Sequence, residues 1–283
     1  MKIEKLGLGI VAFDDVCHLK NITSELRDLV DNITICLQKT SYHGDPIEQK
    51  VIDHINVLKD DGLVNDIIWF EAKDLHEDDP KNAPRLKETD KRNFIIDFLE
   101  KDRQCSHVLI IDSDEFYDHD DFAQAKQIIN DKENAHITYC QYFNYYRDYR
   151  HVMLWPFLSY VPFITESSYR FNFYKPSFDK PSDPTRRYHI DGENPEYCLL
   201  GFGVVKMHHL SWIRTNIEDK IKNWSSITLF DNVEELKKEI IERYNNYKDG
   251  QNAIIMFNTP GNRVVVEKFP AQYINPKYPL TEI

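Results

Sequence analysis

Two carboxylates directly follow an apolar run in the segment V-L-I-I-D-S-D-E-F, residues 108–116. The run predicts a buried strand, which presents Asp112 and Asp114 at its carboxyl end. Ligands of open α/β sheets bind outside the carboxyl ends of strands, and Mg²⁺ or Mn²⁺ takes one or two protein carboxylates together with phosphate oxygens and water. A strand can also end in Asp merely to start a turn, but three strand–helix units precede this one. The spacing therefore predicts a divalent metal that is bound by Asp112 and Asp114 and that holds a diphosphate.

A second candidate for chemistry is the aromatic-rich stretch between residues 139 and 178. Aromatic rings stack on sugars and on flipped bases, and arginines beside them suit an acceptor with a phosphate backbone. Aromatic clusters are more often protein core than binding surface, so we expect much of this one to be core. The side chains that could contact such an acceptor are Tyr145, Tyr146, Tyr149, Trp155, Arg147 and Arg150.

Alternating apolar runs and helical repeats must position these residues. The order β-α-β-α-β-α-β in the first half of the chain predicts an α/β fold with a largely parallel sheet and right-handed crossovers. A charged stretch with prolines at residues 75–89 predicts a loop. The predicted strands are residues 6–13, 33–38, 67–70 and 107–111, and the predicted helices between them are residues 19–30, 47–58 and 91–101.

The later part of the chain predicts more helices and a pair of strands. We predict a domain of residues 1–225, which holds the site, and a C-terminal extension of residues 226–283 that packs on it. The tetrapeptide T-P-G-N, which has strong turn formers, separates the two strand-like runs. The predicted elements are a helix that Ser211 caps and that runs to Trp224, a helix at residues 233–247, and strands at residues 253–257 and 263–266.

Composition and charge limit the classes of function. The 283-residue chain is 41% hydrophobic and carries a net charge of −12, so it can bury a core but offers no broad positive field to nucleic acid or anionic lipid. Local basic pairs, Arg147 with Arg150 and Arg186 with Arg187, could still line a groove. No apolar run in the sequence is long enough to span a membrane.

Cysteine and glycine usage narrows the classes further. Five scattered cysteines without a C-x-x-C pair favour reduced thiols in a cytosol-like compartment and argue against zinc. We therefore expect a cytoplasmic protein. The nine glycines form neither G-x-G-x-x-G nor a Walker loop, so phosphates must be held by a metal and by side chains.

Three motifs resemble those of the GT-A glycosyltransferases, particularly family-two-like members, and the order of elements extends the resemblance over roughly residues 4–225. G-I-V-A-F-D-D, residues 9–15, resembles that family's first strand and the loop that meets the nucleotide base. E-T-D-K-R-N-F, residues 88–94, resembles the helix start where basic residues lie near the donor phosphates, and D-S-D-E-F resembles the family's D-x-D. The resemblance implies a GT-A-like, Rossmann-like fold with a mostly parallel central sheet flanked by helices.

The resemblance also implies particular site residues. A nucleotide-sugar donor, most simply a UDP-sugar, would bind together with Mn²⁺ or Mg²⁺, and Asp114 would be the more direct metal ligand. The donor-binding residues that the resemblance implies are Phe13, Asp15, Lys91, Arg92, Asp112 and Ser113.

A late histidine is a further implied metal ligand. GT-A enzymes often supply one from a strand after the acceptor region, and V-V-K-M-H-H-L-S-W, residues 204–212, resembles that placement. Side chains alternate along a strand, so only one of two adjacent histidines can face the site, and an imidazole beside two carboxylates suits Mn²⁺. His208 is the predicted ligand and His209 the alternative. Both could instead be half-buried histidines before a helix.

An inverting transfer also needs a carboxylate that deprotonates the acceptor hydroxyl. The segment Y-H-I-D-G-E-N-P-E-Y, residues 188–197, lies where the family would place this base. Asp191, Glu193 and Glu196 are therefore the candidate catalytic residues, and a solvated acidic loop is the alternative interpretation. No clean E-D base motif occurs, so inversion and retention both stay open.

The implied function is transfer of a sugar from a nucleotide to an acceptor hydroxyl. The composition resembles that of AT-rich bacterial or T-even-like phage genes. In a phage the resemblance suggests glucosyl or arabinosyl transfer to 5-hydroxymethylcytosine in DNA, against which the acidic charge counts. A polysaccharide, lipid-linked glycan or protein acceptor stays open, as does the oligomeric state.

Three other classes of protein share part of the pattern. A sugar-1-phosphate nucleotidyltransferase would need a Gly- and Arg-rich loop after the first strand, where this chain has F-D-D-V-C-H-L-K. A phosphatase would place its D-x-D near the N-terminus. A non-catalytic carbohydrate-binding or DNA-binding module predicts no metal-dependent binding of a nucleotide.

Overall fold

The computed structural model groups the chain into two compact units. The first comprises Met1–Tyr142 and Leu158–Met207, and the second comprises Phe143–Phe157 and His208–Ile283. Residues 208–225, which the sequence analysis placed in the first domain, thus belong to the second unit. For residues 150, 152, 153, 252–259 and 263–273 the backbone alone is described. The structure describes residues 2–14, 16–71, 75–132, 135–153, 159–175, 180–189, 197–214, 216–225, 233–248, 252–259 and 263–273.

Four parallel strands form the centre of the first unit. They are β1 (Leu6–Val11), β2 (Asn32–Gln38), β3 (Asp66–Phe70) and β4 (His107–Asp112). Their order is β3-β2-β1-β4, and all three pairings are parallel. Most residues of β1, β2 and β4 are buried, as expected for parallel strands covered on both faces. The predicted strands and the mostly parallel sheet are confirmed.

Helices connect and flank these strands. They are α1 (Leu19–Leu26), α2 (Gln49–Asp60), α3 (Ala83–Lys101) and α4 (His119–Asn130). Helix α3 approaches β1 closely because Gly9 has no side chain. A Cβ atom at that position would lie 2.3 Å from Cγ2 of Ile95. This close approach brings the polar residues in the middle of α3 to the carboxyl end of β1.

Helix α3 begins earlier than the sequence predicted. Residues 75–89 were expected to be a loop, but the helix starts at Ala83. Pro84 lies in the first turn, where the missing N–H costs nothing, and Leu86 is 5% exposed. The charged and proline-containing sequence thus forms the first turns of a buried helix. The loop prediction for residues 83–89 is wrong.

Antiparallel strands extend the sheet of the first unit beyond β4. They are β6 (Ile137–Tyr146), which begins in the first unit, and β8 (Tyr160–Glu166). Strand β8 is antiparallel to β4, with His107 opposite Glu166, and β6 is antiparallel to β8. The unit is therefore a mixed α/β structure. The remaining short strands are β5 (Glu115–Tyr117) and β9 (Tyr197–Leu199).

The second unit contains strands around an aromatic core and two helices. Strand β7 (Asp148–Met153) pairs with the end of β6 and with β12 (Arg263–Tyr273), and β12 forms an antiparallel hairpin with β11 (Asn252–Thr259). The predicted C-terminal helix and pair of strands are present. The elements are β7 (Asp148–Met153), β10 (Lys206–Trp212), which begins in the first unit, α5 (Ile217–Asn223), α6 (Val233–Asn245), β11 (Asn252–Thr259) and β12 (Arg263–Tyr273).

The N-cap of α5 differs from the prediction. Ser211 was expected to cap this helix, but it lies inside β10 and is buried. Asn216 caps α5 instead, since its Oδ1 accepts a hydrogen bond from the Glu218 amide at 3.0 Å. The cap prediction is wrong because the strand continues to Trp212. Among the described residues, no helix is both long and apolar enough to cross a membrane.

Candidate functional site

The D-S-D turn lies at the point where the strand order of the parallel sheet reverses. From β1 the chain continues to β2 and β3 on one side, and β4 then pairs with the other side of β1. Val11 is opposite Asp112, and the Ser113 amide donates a hydrogen bond of 3.0 Å to the Val11 carbonyl. Ligands of open α/β sheets bind in the crevice at such a switch point. The predicted position of Asp112 and Asp114 at a carboxyl edge is confirmed.

Two buried arginines hold the carboxylate of Asp112. Nη2 of Arg92 donates to both of its oxygens, at 2.8 and 2.9 Å, and Nη2 of Arg186 donates to Oδ2. Arg92 is 0% exposed and Arg186 3% exposed, whereas the Asp112 side chain is 25% exposed. The carboxylate is therefore gripped from inside the protein while part of it faces outward.

Two further side chains hold the guanidinium of Arg92 in place. Nη1 of Arg92 lies 2.7 Å from Oε1 of Glu88, one helical turn away, and donates to Oγ1 of Thr185 at 2.9 Å. A long side chain with a planar guanidinium loses freedom when it is fixed on three sides. Arg92 is thus a rigid part of the wall behind Asp112.

Glu115 adds a second carboxylate to this network. It accepts from the Asp112 amide at 2.9 Å and pairs with Nη1 of Arg186 at 2.7 Å. Burial raises the pKa of Glu115 to about 7 against the lowering effect of Arg186, and the negative charges of Asp112 and Asp114 raise it further. Glu115 is therefore a buried carboxyl group whose pKa is raised mainly by its burial.

Lys91 links α3 to the end of β1. Its Nζ donates to the carbonyl of Ala12 at 2.9 Å, and the side chain is completely buried. Burial lowers the pKa of Lys91 to about 8. Phe13, which follows Ala12 in the sequence, is half-buried where the chain leaves β1. Lys91 and Arg92 thus reach the carboxyl edges of two adjacent strands.

Buried polar atoms without partners lie at the same edge of the sheet. In the part of the chain that the structure describes, the Tyr42 hydroxyl, Oε1 of Gln38 and Nε of Arg92 have no hydrogen-bond partner. Gln38 ends β2, beside the end of β1. Burial raises the pKa of Tyr42, and the charges of Glu88, Arg92 and Asp112 also act on it, which places its hydroxyl near them. Such atoms are costly in a folded protein unless a ligand completes their hydrogen bonds.

The two aspartates of the D-S-D turn are the candidate ligands of a divalent cation. Asp112 and Asp114 supply the carboxylate oxygens that Mg²⁺ and Mn²⁺ prefer, and phosphate or water oxygens would complete the shell. Among the described residues, no group of three or more His, Cys, Asp or Glu side chains is arranged to hold a metal. The protein part of such a site would therefore be the two aspartates.

The predicted histidine ligands lie in the second unit. His208 Nδ1 shares a hydrogen bond of 2.7 Å with the Tyr145 hydroxyl, and the two rings are stacked 5.7 Å apart. His209 Nδ1 lies 2.6 Å from Oδ1 of Asn144. Each imidazole therefore has its own hydrogen-bond partner, the Tyr145 hydroxyl for His208 and the Asn144 side chain for His209. The metal-ligand role of either histidine stays a prediction.

Other predicted site residues lie outside the described part of the chain. These are Asp15, the base candidates Asp191, Glu193 and Glu196, and the aromatic residue Trp155. Their roles stay predictions.

The aromatic stretch contains core, as expected. Tyr146 is 1% exposed, and its ring lies 5.5 Å from that of Tyr244 and 5.1 Å from that of Tyr247. The guanidinium of Arg147 lies over the Tyr244 ring at 4.7 Å. Tyr146 therefore packs inside the second unit and does not offer its ring to an acceptor.

Sequence reasoning missed three residues of the site. Glu115 belongs to the quoted motif but was given no role, Tyr42 belongs to no motif, and Arg186 was noted only as one of two adjacent arginines. Arg186 is 74 residues from Asp112 in the sequence. The sequence shows that Arg186 is basic, but it does not show that Asp112 is its partner.

Comparison with models of known protein families finds no match for the chain, and comparison with curated proteins finds none either.

Proposed function

We propose that the chain is a metal-dependent glycosyltransferase that moves a sugar from a nucleoside-diphosphate sugar, most simply a UDP-sugar, to an acceptor hydroxyl. The observation that carries this proposal is the D-S-D turn at the switch point of the parallel sheet, backed by the buried Arg92 and Arg186. A phosphatase or a nucleotidyltransferase would use similar carboxylates, but no further observation favours either.

The charged groups at this edge suit a diphosphate and its metal. A divalent cation at Asp112 and Asp114 would neutralise the charge that develops on the departing diphosphate. Arg92 fixes the orientation of Asp112, and Lys91 and Arg92 add positive charge at the ends of β1 and β4. Preorganised charge in a site with little water stabilises a developing negative charge strongly.

The unpartnered polar atoms support a ligand at the same edge. The Tyr42 hydroxyl can donate a hydrogen bond, and Oε1 of Gln38 can accept one. A nucleotide offers complementary groups on its base, ribose and phosphates. One of Asp191, Glu193 and Glu196 would deprotonate the acceptor, and His208 would be the late metal ligand.

The assignment of the GT-A fold and the identity of the acceptor are part of this proposal. The mixed sheet, in which an antiparallel β8 follows β4, is compatible with a Rossmann-like fold, and the GT-A assignment rests on the three motifs. The acceptor is a glycan or, in a phage, 5-hydroxymethylcytosine in DNA. The buried Tyr145 and Tyr146 give no support to stacking of a base on those two rings.

Calorimetric titration with UDP, with and without Mn²⁺, tests the proposal. We expect the wild-type chain to bind UDP only with Mn²⁺ and Asp114→Ala to lose this binding. Asp61→Ala, which removes an exposed aspartate after α2, should bind like the wild type. Equal binding of UDP with and without metal, or full binding by Asp114→Ala, would contradict the metal assignment.

Turnover is the second test. A mass-spectrometric screen of nucleotide sugars with Mn²⁺ should show hydrolysis of one donor, and labelled sugar should then be trapped on glycans or on DNA that contains 5-hydroxymethylcytosine. The absence of hydrolysis and transfer for every donor, despite metal-dependent UDP binding, would leave a binding module as the function.

A further inference from the structure

We infer that the exposed ring of Tyr174 is a stacking platform for a neutral glycan. The ring lies in the first unit, next to the start of α3. Binding of a glycan to this ring does not depend on the proposed function. The role of that glycan as the acceptor of the transferred sugar does rest on it.

The Tyr174 ring is exposed and yet held in one orientation. Tyr174 is 63% exposed, whereas Trp69 and Phe94 are 38% and 40% exposed. Its hydroxyl donates to Oδ2 of Asp79 at 2.9 Å, and its ring packs edge-on against that of Phe173 at 5.3 Å. Fixing an exposed side chain costs conformational entropy, which burial does not offset here. Because the ring is already fixed, a ligand that stacks on it loses less entropy on binding.

The partners of this ring are themselves fixed. Nδ2 of Asn82 donates to Oδ2 of Asp79 at 2.9 Å. The guanidinium of Arg85 donates to Oδ1 of Asn82 and lies over the Phe173 ring at 4.9 Å. The loop before α3 and the segment that carries Phe173 and Tyr174 therefore hold each other through their side chains.

The course of α3 places this platform beyond the carboxyl edge of the parallel sheet. Leu99 packs against Gly7 near the start of β1, whereas Lys91 donates to the carbonyl of Ala12, just after the end of β1. Arg85 precedes Lys91 on the same helix, and six residues of α-helix span about 9 Å. The platform thus stands above the edge that carries the D-S-D turn, at a distance that a short oligosaccharide can span.

An aromatic face beside a carboxylate suits a sugar. The C–H groups of a pyranose ring stack on an aromatic face, and sugar hydroxyls donate to carboxylate oxygens. Oδ1 of the half-buried Asp79 accepts a long hydrogen bond of 3.3 Å from the Asn82 amide, and a carboxylate oxygen has about two lone pairs. Asp79 can therefore accept a sugar hydroxyl beside the Tyr174 ring.

Charge favours a neutral glycan over a polyanion such as DNA. The carboxylates of Asp78 and Asp79 lie near the Tyr174 hydroxyl, and the chain carries a net charge of −12. Arg85 also lies near this hydroxyl but is 3% exposed, so it offers no positive surface. Lys175 is exposed beside Tyr174, but a phosphate backbone is bound through several basic side chains.

Binding of neutral oligosaccharides by the whole chain, without nucleotide or metal, tests the inference. The probes are cello-, malto-, chito- and manno-oligosaccharides, and a single-stranded DNA oligonucleotide is the comparison. Calorimetry measures the affinities, and saturation-transfer NMR shows which sugar protons contact the protein. Circular dichroism checks that each variant is folded.

Tyr174→Ala should bind the oligosaccharide that the wild type binds at least about tenfold more weakly, because the stacking face is lost. Trp69→Ala removes an exposed ring on β3; it is the matched control and should bind like the wild type. Binding of no oligosaccharide by the wild type, or equal binding by Tyr174→Ala, would overturn the inference.

A second variant separates the ring from its orientation. Tyr174→Phe keeps the ring but loses the hydrogen bond to Asp79, so it should bind about threefold more weakly than the wild type. If Tyr174→Ala does not fold, Tyr174→Phe decides, and an unchanged affinity of this variant would refute the inference.

Failure of the inference and failure of the proposed function give different results. Metal-dependent binding of UDP without binding of any oligosaccharide would overturn the inference while the proposed function stands. Oligosaccharide binding that depends on Tyr174, in a chain that does not bind UDP, would support the platform and remove the proposed function. Binding of DNA alone, lost in Tyr174→Ala, would overturn the glycan assignment and identify a nucleic-acid surface.

Discussion

At the carboxyl edge of the parallel sheet several charged side chains are buried, whereas the second unit buries a cluster of aromatic rings together with a tyrosine hydroxyl. Arg92, Arg186 and Glu115 are each at most 3% exposed. In the second unit, the Tyr244 hydroxyl donates to the Trp212 carbonyl at 2.9 Å. Burying a charge costs far more than burying a hydrogen-bonded hydroxyl.

This contrast favours the carboxyl edge of the parallel sheet as the candidate site. Both regions contain arginines, carboxylates or histidines at suggestive spacings, and the sequence alone made both candidates for chemistry. A fold retains several buried charges around one carboxylate at a cost in stability, and perturbed groups of this kind cluster at functional sites. The aromatic cluster around Tyr146 and Tyr244 contributes to stability by its packing.

The largest expected effect on stability is in the aromatic cluster. Trp212→Ala removes a ring that packs on Tyr146 at 6.1 Å, and we expect it to lower the free energy of unfolding by about 4 kcal/mol. The affinity of the folded variant for UDP with Mn²⁺ should not change. Urea denaturation and calorimetry measure the two quantities. A large loss of UDP affinity would show that the aromatic cluster is part of the donor site and would break the comparison.

A slightly smaller loss of stability is expected for Asp112→Asn, together with loss of metal-dependent UDP binding. The substitution removes the negative charge that Arg92 and Arg186 share, and we expect a cost of about 3 kcal/mol. The same denaturation and titration experiments apply, with Asp61→Asn at an exposed position as the control. Unchanged stability would show that the two arginines do not depend on Asp112.

The third expected effect is on the affinity for Mn²⁺ and comes from substitution of the two adjacent histidines. We expect His208→Ala to weaken Mn²⁺ binding in the presence of UDP by at least about tenfold and His209→Ala to leave it unchanged, because adjacent strand residues face opposite sides. The affinities are measured by calorimetry at constant pH. Equal effects of the two substitutions would remove the assignment of His208, and the opposite order would transfer it to His209.

The smallest expected effect near neutral pH is on the free energy of unfolding, and it comes from the titration of Lys91. Its pKa is lowered to about 8 in the folded chain from an ordinary value of 10.5, so the unfolded chain binds more protons between these two values. The free energy of unfolding of the wild type should therefore rise relative to that of Lys91→Met as the pH rises from about 8 to 10.5.

Urea denaturation at several pH values measures this difference. Lys20→Met, at an exposed position of α1, should show no such change relative to the wild type. A difference between wild type and Lys91→Met that stays constant over the range would mean that the buried ammonium keeps its ordinary pKa.

The strands and the place of the acidic pair could be predicted from the amino-acid sequence alone. Strand-like runs of four to eight residues separated by helical repeats leave few alternatives to a parallel sheet, and Asp112 follows the last of these runs. The prediction from the sequence failed at residues 83–89, where charge and proline suggested a loop although Leu86 is buried. Local composition does not report which face of a charged segment is buried.

Only the tertiary structure decided what surrounds Asp112. Arg92 is 20 residues away and Arg186 is 74 residues away, and no spacing rule connects them to the D-S-D turn. Their meeting depends on the close approach of α3 to β1 at Gly9 and on the 3-10 turn that returns Arg186 to the same edge. Periodicity fixes the elements because it reflects local burial, whereas partners of a buried charge are fixed by the packing of elements that are distant in sequence.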